Sequence, residues 1–202
     1  MSGINVPYVS AEEIQNQVEK FRQLYLGKDH PIPVNVELLA EDIGLEIWPV
    51  DRLIELANID ALVAHKLKVI MVDKDEYDDP IRWGRLRFTI AHEIGHFVLH
   101  SHLFDTVSFK SIPEWADFVR SIENYDRIEI QAHEFGGRLI VPRDRLIAAI
   151  EKEKPHLSAL PKEELKQRLA VRLSRVFHVS PDLISARFTY EQLNSLIESS
   201  SK

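Results

Sequence analysis

The length, composition and charge of the chain exclude several classes of protein. Its 202 residues include no cysteine, which rules out disulfide bonds and any metal site with a thiolate ligand. The formal net charge of −7 argues against broad nonspecific binding to nucleic acid. No apolar stretch approaches the roughly 20 residues of a membrane span, and the first residues lack the apolar run of a signal peptide. We therefore expect a cytoplasmic protein without a membrane partner.

Two helices are predicted near the start of the chain. Ser10 and Glu13 have the spacing of a capping box. The helix that they begin ends near Gly27, and it carries an apolar face formed by Ile14, Val18, Phe21 and Tyr25. After a connector over residues 28–33, a shorter helix is predicted from about Asn35, which can cap it, to Gly44.

Three short apolar segments predict a small sheet. Residues 45–48 alternate between apolar and polar, and residues 61–64 and 69–72 are two further strands joined by a turn around 65–67. We predict an α+β fold in which a small antiparallel sheet packs on the helices of the functional site. The strand over 68–72, or its neighbour, either binds an extended peptide along the sheet edge or is a plain core strand.

An acidic stretch follows the last strand. Residues 73–79 carry five carboxylates but lack the glycine and the terminal glutamate of a calcium-binding loop, so we interpret them as a solvated loop. Arg82, Arg85 and Arg87 come next. Either they form salt bridges with the acidic loop, or one of them docks substrate or stabilises an oxyanion.

The pattern HExxH lies within residues 87–100, in an apolar run with helical periodicity. Four residues apart on a helix, His92 and His96 project from one face and can share a metal ion. Glu93 lies beside them, where it can act as general base toward a water molecule activated by that ion. The pattern predicts a metal hydrolase site; the alternative is a helix that happens to carry two histidines.

A catalytic site of this type normally has a third protein ligand. His100 continues the same helical face, but it lies two turns from His92, too far for one tetrahedral ion. His102 would need a sharp turn at Leu99, which a leucine disfavours.

Glu129 is the ligand we predict, because it lies on a second predicted helix that can meet the first side by side. This helix ends before Pro142. His133, one turn after Glu129, can hydrogen-bond a ligand or replace one.

The connection between the two site helices spans residues 101–125. Its length is typical of a specificity segment or a lid over a cleft, and a helix is predicted within it after Pro113. Tyr125, His100 and His102 are candidates for polarising the scissile carbonyl, with a structural or surface role as the alternative for each.

These stretches resemble the ImmA/IrrE family of metallopeptidases. Family members share RFTxAHExGH, which residues 87–96 match almost completely. They also share ExxANxFAxxLLxP, which is matched here at Glu129, Ala132, Phe135, Leu139 and Pro142. The chain departs from this second pattern at His133, where asparagine is usual, and at Gly136 and Gly137. The resemblance covers most of residues 30–190.

The resemblance implies a gluzincin-like site. In such a site His92, His96 and Glu129 hold the metal and Glu93 is the general base. It also implies an endopeptidase that cuts helix-turn-helix repressors in a stress or mobile-element response.

The C-terminal region resembles a helix-turn-helix, with Ser180 and Pro181 opening its second helix. Residues 162–188 contain six Lys/Arg against three Asp/Glu, which is not strongly basic, so DNA contact is disfavoured. We predict an N-terminal helical segment over residues 1–30 and a metallopeptidase core over 31–160. A C-terminal helical cap over 161–202 belongs to the same domain.

Together these features predict a metal-dependent endopeptidase whose partner is a protein substrate. Zinc is the predicted cofactor and manganese the alternative, because histidine and glutamate accept both. The rivals are a non-catalytic, metal-stabilised binding module and a DNA-binding regulator that uses the C-terminal helices. Glu93 favours the enzyme, since a binding scaffold needs no general base. No oligomeric state is predicted.

Overall fold

The computed structural model describes residues 6–27, 29–64, 66, 68–104, 109–157 and 160–198, and helices dominate this part of the chain. The helices are α1 (Ala11–Tyr25), α2 (Val36–Asp42), α3 (Leu53–Ala57), α4 (Lys74–Asp78), α5 (Trp83–Phe104), α6 (Ile112–Arg120), α7 (Tyr125–Ile140), α8 (Arg143–Glu153), α9 (Lys162–Phe177), α10 (Pro181–Tyr190) and α11 (Asn194–Glu198). The strands are β1 (Glu46–Val50), β2 (Ala61–Ala64) and β3 (Val69–Asp73).

Helix α1 begins with the predicted capping box. The backbone N–H of Ser10 donates to the Glu13 carboxylate at 2.8 Å, and the backbone N–H of Glu13 donates to the Ser10 hydroxyl at 3.2 Å. Both bonds satisfy donors that a helix start otherwise leaves free. Ile14, Val18 and Phe21 of the predicted apolar face are buried, and the ring of Phe21 meets that of Phe135 on α7 at 5.6 Å between centroids, whereas Tyr25 is exposed. The predicted first helix is confirmed.

The sheet has the strand order β1–β3–β2. Strands β2 and β3 are antiparallel, as in the pair Ala61 and Val72, whereas β1 and β3 are parallel, as in the pair Glu46 and Val69. The α+β class is confirmed, and the sheet is mixed rather than wholly antiparallel. The reason is the path between β1 and β2, which includes α3 and lets β1 lie beside β3 in the same direction. Strand β3 is therefore central, and of the predicted pair it is β2 that lies at an edge.

The acidic stretch after β3 is a helix, so its interpretation as a solvated loop was wrong. Asp73 is buried and caps α4 by accepting the backbone N–H of Asp75 at 3.1 Å, and it also accepts the N–H of Ile54 at 3.0 Å. Glu76 is buried and paired with Arg82. Contacts with residues elsewhere in the fold hold these carboxylates in place. The pattern of charges alone does not show such contacts.

The three arginines after the acidic stretch have separate partners. Arg82 pairs with Glu76 and Asp79, which confirms the predicted salt bridges for this residue. Arg85 pairs with Asp60, just before β2. Arg87 is buried and donates to the backbone carbonyls of Val34 and His178, joining α5 to two distant segments.

The C-terminal helices pack on the rest of the chain. Helix α9 ends at Phe177, and His178 follows with a left-handed φ of 52°, which lets the N–H of Val179 bond the carbonyl of Ser174 at 3.0 Å. The Ser180 hydroxyl then caps α10 by accepting the N–H of Leu183 at 3.2 Å. Buried Glu191 joins α10 to α7 by pairing with Arg138 and Arg187. That DNA contact by α9 and α10 is disfavoured stays a prediction, as do the domain boundaries.

One hydrophobic cluster runs from α1 through the sheet and α5 to α11. A second cluster joins the N-terminal Val6 to the ends of α5 and α6 and to α7, through Phe104, Val119 and Ile128. In the part of the chain that the structure describes, no helix has both the length and the apolar composition needed to cross a membrane.

Candidate metal centre

The two histidines of HExxH lie on α5, the longest helix described. Its face toward the core is apolar and buried, including Ile90 and Ile94. His92 and His96 are one turn apart on this helix, with ring centroids 4.6 Å apart and Nε2 atoms 2.9 Å apart. The predicted helix over residues 87–100 is confirmed, and it brings both Nε2 atoms to one point.

Glu129 reaches the same point from α7. Its Oε2 lies 3.2 Å from Nε2 of His92, and its Oε1 lies 3.3 Å from Nε2 of His96. The helix has the predicted stop, because it ends at Ile140, two residues before Pro142. Two helices, rather than a loop, therefore position the three donor groups.

Two glycines let α5 and α7 come into close contact. A Cβ on Gly95 would stand 2.9 Å from the carbonyl oxygen of Ala132 on α7. A Cβ on Gly136 would stand 2.9 Å from the backbone nitrogen of His92 on α5. Side chains at either position would push the helices apart, so the missing Cβ atoms bring Glu129 within reach of the histidines.

The donor set fits a divalent metal ion. Two atoms held at about 2.0–2.1 Å by one tetrahedral ion lie roughly 3.3–3.4 Å apart, close to the separations found here. Among the described residues, His92, His96 and Glu129 form the group of histidine and carboxylate side chains able to hold an ion, with donor atoms within 4.8 Å of one another. Two neutral imidazoles and one carboxylate suit zinc or manganese.

The electrostatics favour a charged Glu129. Burial by itself raises the pKa of this carboxyl, but hydrogen bonds from His92 and His96 outweigh burial and hold the pKa well below its usual range. Burial likewise acts to lower the pKa of His92, and the Glu129 carboxylate reverses the direction, so that the pKa is raised. The site is therefore arranged around a negative ligand that stabilises positive charge beside it.

Glu93 is buried next to the two histidines, with 6 % of its surface exposed. Burial raises the pKa of its carboxyl, although the neighbouring His96 and His92 act to lower it. The backbone N–H of Val63, on β2, donates to this carboxylate. Glu93 thus stands between the metal ligands and the edge strand of the sheet.

The site opens into a cleft of about 360 Å³. One wall comes from β2 and the residue before it, including Asp60 and Val63. An apolar part of the lining comes from the end of α5 and from α6, through Phe104, Trp115 and Val119. The predicted helix after Pro113 is confirmed as α6, and it forms a side of the cleft.

A family comparison agrees with this geometry. The M78 peptidase model, described as the IrrE N-terminal-like domain, matches residues 65–189. The chain belongs to the ImmA/IrrE family of metallopeptidases. The match contains both site helices and extends to α10. No match was found among curated proteins.

Two further predicted residues of this ImmA/IrrE member line the cleft. The hydroxyl of Tyr125 donates to Glu129, and burial, followed by the Glu129 charge, raises its pKa, so it remains a donor. The ring of His133 stands edge-on to that of Phe88 at 4.8 Å between centroids. His133 is therefore near the ligands but lies outside the cluster of three donor groups.

The other two predicted histidines face in different directions. His100 is buried behind His96, with its Nδ1 3.2 Å from Nδ1 of His96. Burial lowers its pKa to about 4. His102 is exposed, because α5 continues past Leu99 to Phe104 without the turn that would bring it back. It lies outside the donor cluster.

Several contacts that shape the site of this ImmA/IrrE chain were not predicted from its sequence. Gln131 accepts from Nε2 of His100 at 2.9 Å. Gly136 supplies the close helix contact, and the pair of Arg85 and Asp60 lies on the cleft wall. For Gln131 a signal existed, because a polar residue two positions after Glu129 breaks the apolar face of α7. For Asp60 nothing in the local pattern indicated a partner 25 residues away.

Proposed function

We propose that the protein is a metal-dependent endopeptidase. One observation carries the proposal: the Nε2 atoms of His92 and His96 and the carboxylate of Glu129 converge within 3.3 Å of one another in a cleft, with the buried Glu93 beside them. Membership of the metallopeptidase family supports the same conclusion.

The residues divide the chemistry among them. His92, His96 and Glu129 would hold the ion, which when bound polarises a peptide carbonyl and lowers the pKa of a water molecule. Glu93 accepts a proton as the water oxygen bonds to the carbonyl carbon, and it returns the proton to the amine as the C–N bond breaks. Burial raises the pKa of Glu93, which makes it a stronger base than an exposed glutamate.

The substrate strand would add to β2. Among the described residues, β2 pairs with β3 on one side and has no strand on the other, so its outer main-chain groups, apart from the Val63 N–H that donates to Glu93, can pair with an extended peptide. This edge also forms a wall of the cleft. The apolar lining of Phe104, Trp115 and Val119 fits a large apolar side chain next to the cleaved bond.

The substrate we propose is a helix-turn-helix repressor in the cytoplasm, and the metal is zinc or manganese. The resemblance of the two motifs to the ImmA/IrrE family supports the repressor, and the His/His/Glu donor set supports either metal. An extended peptide is needed at β2, so the cleaved bond should lie in a linker of the repressor rather than within a helix.

Metal analysis and a cleavage assay test this function together. Wild-type protein should bind about one ion per chain, and Glu129→Ala and His96→Ala should bind far less. Wild-type protein, loaded with zinc or with manganese, is then incubated with a repressor encoded beside it, and the fragments are identified by mass spectrometry. Cleavage that a chelator abolishes is the expected result.

Other results would contradict the endopeptidase. Failure to load the wild-type protein with metal would contradict the proposed metal site. Loaded protein that binds the repressor without cutting it would indicate a binding module. A salt-dependent shift of DNA in a mobility assay, without cleavage, would indicate a DNA-binding regulator.

A further inference from the structure

A chain of hydrogen bonds runs behind the metal centre, on the side away from the cleft. Nδ1 of His96 lies 3.2 Å from Nδ1 of His100, and Nε2 of His100 lies 2.9 Å from Oε1 of Gln131. The amide Nε2 of Gln131 then donates to the backbone carbonyl of Pro7 at 3.0 Å. The chain thus joins a proposed metal ligand on α5 to α7 and to the N-terminal segment.

The direction of every hydrogen bond in this chain follows from its last acceptor, the carbonyl of Pro7. The carbonyl of Pro7 can only accept, so Gln131 must turn its NH₂ toward Pro7 and its oxygen toward His100. His100 must then carry a proton on Nε2, which leaves Nδ1 of a neutral ring as an acceptor. In the neutral form that would bind a metal, His96 donates its Nδ1–H to that acceptor, and its Nε2, on the side of Glu129, would carry the lone pair for the ion.

We propose that His100 is a positioning residue that fixes the tautomer and ring orientation of His96 for metal binding, with Gln131 and the Pro7 carbonyl holding His100 in turn. This inference rests on the proposed metal site and deepens it. A histidine ligand commonly donates its second N–H to a fixed acceptor, which selects the metal-binding tautomer and raises the basicity of the ligand.

Burial keeps this chain of hydrogen bonds rigid. His100 is 2 % exposed and Gln131 is 4 % exposed, so neither can exchange its partner for bulk water. The neighbouring Val6 is buried in the second hydrophobic cluster, which holds Pro7 in place against α7. Loss of the acceptor would leave the Nδ1–H of His96 buried without a partner and free the ring to rotate.

Three variants separate positioning from packing. His100→Phe keeps a ring but removes both hydrogen bonds. His100→Asn keeps an acceptor near the place of Nδ1, but its shorter side chain does not reach Gln131. His102→Phe is the matched control, because it makes the same replacement two residues away at an exposed position of α5. The zinc dissociation constant of each is measured by competition with a chelating dye, after circular dichroism of the metal-free protein.

The expected result is a loss of about 10- to 100-fold in zinc affinity for His100→Phe. His100→Asn should recover the larger part of that loss, and His102→Phe should bind as wild type does. If folded His100→Phe binds zinc as tightly as wild type does, the role of His100 is overturned while the metal site itself stands. Wild-type protein that binds no zinc would overturn the metal site, and this inference with it.

A spectrum of the wild-type protein decides the question even where His100→Phe does not fold. Two-dimensional ¹H–¹⁵N correlation of the imidazole nitrogens, in zinc-loaded protein labelled at histidine, identifies which nitrogen carries the proton. His100 should be the Nε2–H tautomer. Protonation of His100 at Nδ1 would reverse the direction of the chain and overturn the inference.

Discussion

Gly136 on α7 lies against the backbone of His92 on α5, where an added Cβ would be 2.9 Å from the His92 nitrogen. A Cβ added to Gly137, the next residue, would have the Cδ of Arg187 as its nearest neighbour, at an ordinary contact distance of 3.5 Å. The two positions are adjacent in one helix but differ in their surroundings. Because a change from glycine to alanine alters the helix propensity by a similar amount at both positions, comparing the two variants isolates the helix contact.

Gly136→Ala should destabilise the protein, and Gly137→Ala should not. An alanine at 136 has to displace the α5 backbone, which typically costs about 1–3 kcal/mol in the free energy of unfolding. At 137 the gain in helix propensity of about 0.5–1 kcal/mol is expected instead. Denaturant unfolding in the presence of a chelator measures both. Equal stabilities would show that α5 and α7 do not need this contact.

Glu93→Gln should retain metal and lose cleavage. The amide keeps the size of the side chain, but it cannot accept the proton of water. Metal content per chain and the cleavage rate are measured on the same preparation, and Glu129→Gln serves as the contrast because it should lose metal. Cleavage by Glu93→Gln at the wild-type rate would remove Glu93 from the mechanism.

Glu191→Gln should destabilise the joint between α10 and α7. This carboxylate is buried against Arg138 and Arg187, so its neutralisation removes the ion-pair partner of Arg187 and leaves Arg138 paired with Glu134 alone. Removing one partner of a buried ion pair typically costs about 3–5 kcal/mol.

Glu198→Gln is the control for Glu191→Gln. Glu198 pairs with Lys162 and Lys166 near the surface, where solvent screens the charges, so its loss should change the unfolding transition little. Thermal unfolding of the two variants beside wild type makes the comparison. Similar transitions for both variants would show that the buried cluster adds nothing to stability.

Stability should fall as the pH drops below neutral, partly because of His30. Burial lowers the pKa of this ring below its usual value, against the hydrogen bond to the Gly27 carbonyl, which raises it. The unfolded chain takes up a proton near pH 6.5 while the folded ring stays neutral, so the free energy of unfolding decreases from about pH 7 downward until the folded pKa is reached.

His30→Gln tests this pH dependence, since glutamine does not titrate. Its unfolding free energy should depend less steeply on pH than that of wild type across the acidic range. Denaturant unfolding of metal-free protein at several pH values gives both slopes, and metal-free conditions keep ligand protonation out of the comparison. Parallel curves for the two proteins would assign the acid sensitivity to other groups.

Local signals in the sequence predicted the helices of the site. The capping box at Ser10, the apolar periodicity around HExxH and the stop before Pro142 each act within a few residues. Local spacing also suggested that His92 and His96 share a face. These features depend on short-range geometry, which the order of residues largely determines.

Features that depend on distant partners were not predictable in this way. The parallel pairing of β1 depends on the path through α3. The helix in the acidic stretch depends on the pairing of Glu76 with Arg82, and on the hydrogen bond that the N–H of Ile54 donates to Asp73, 19 residues away. The chain from His96 to Pro7 joins residues 124 positions apart at its last step. Local sequence patterns do not predict contacts between residues so far apart in the chain.

The position of Val63 has a kinetic consequence. Its backbone lies in the edge strand that a peptide would join, and the same backbone donates to the Glu93 carboxylate. A peptide long enough to pair with the whole of β2 would steady this strand and, through it, the proton acceptor. Binding energy gained far from the cleaved bond would then appear in turnover as well as in affinity. We expect kcat to rise with the length of the peptide, so that dipeptides and chromogenic fragments are poor substrates for an otherwise competent enzyme.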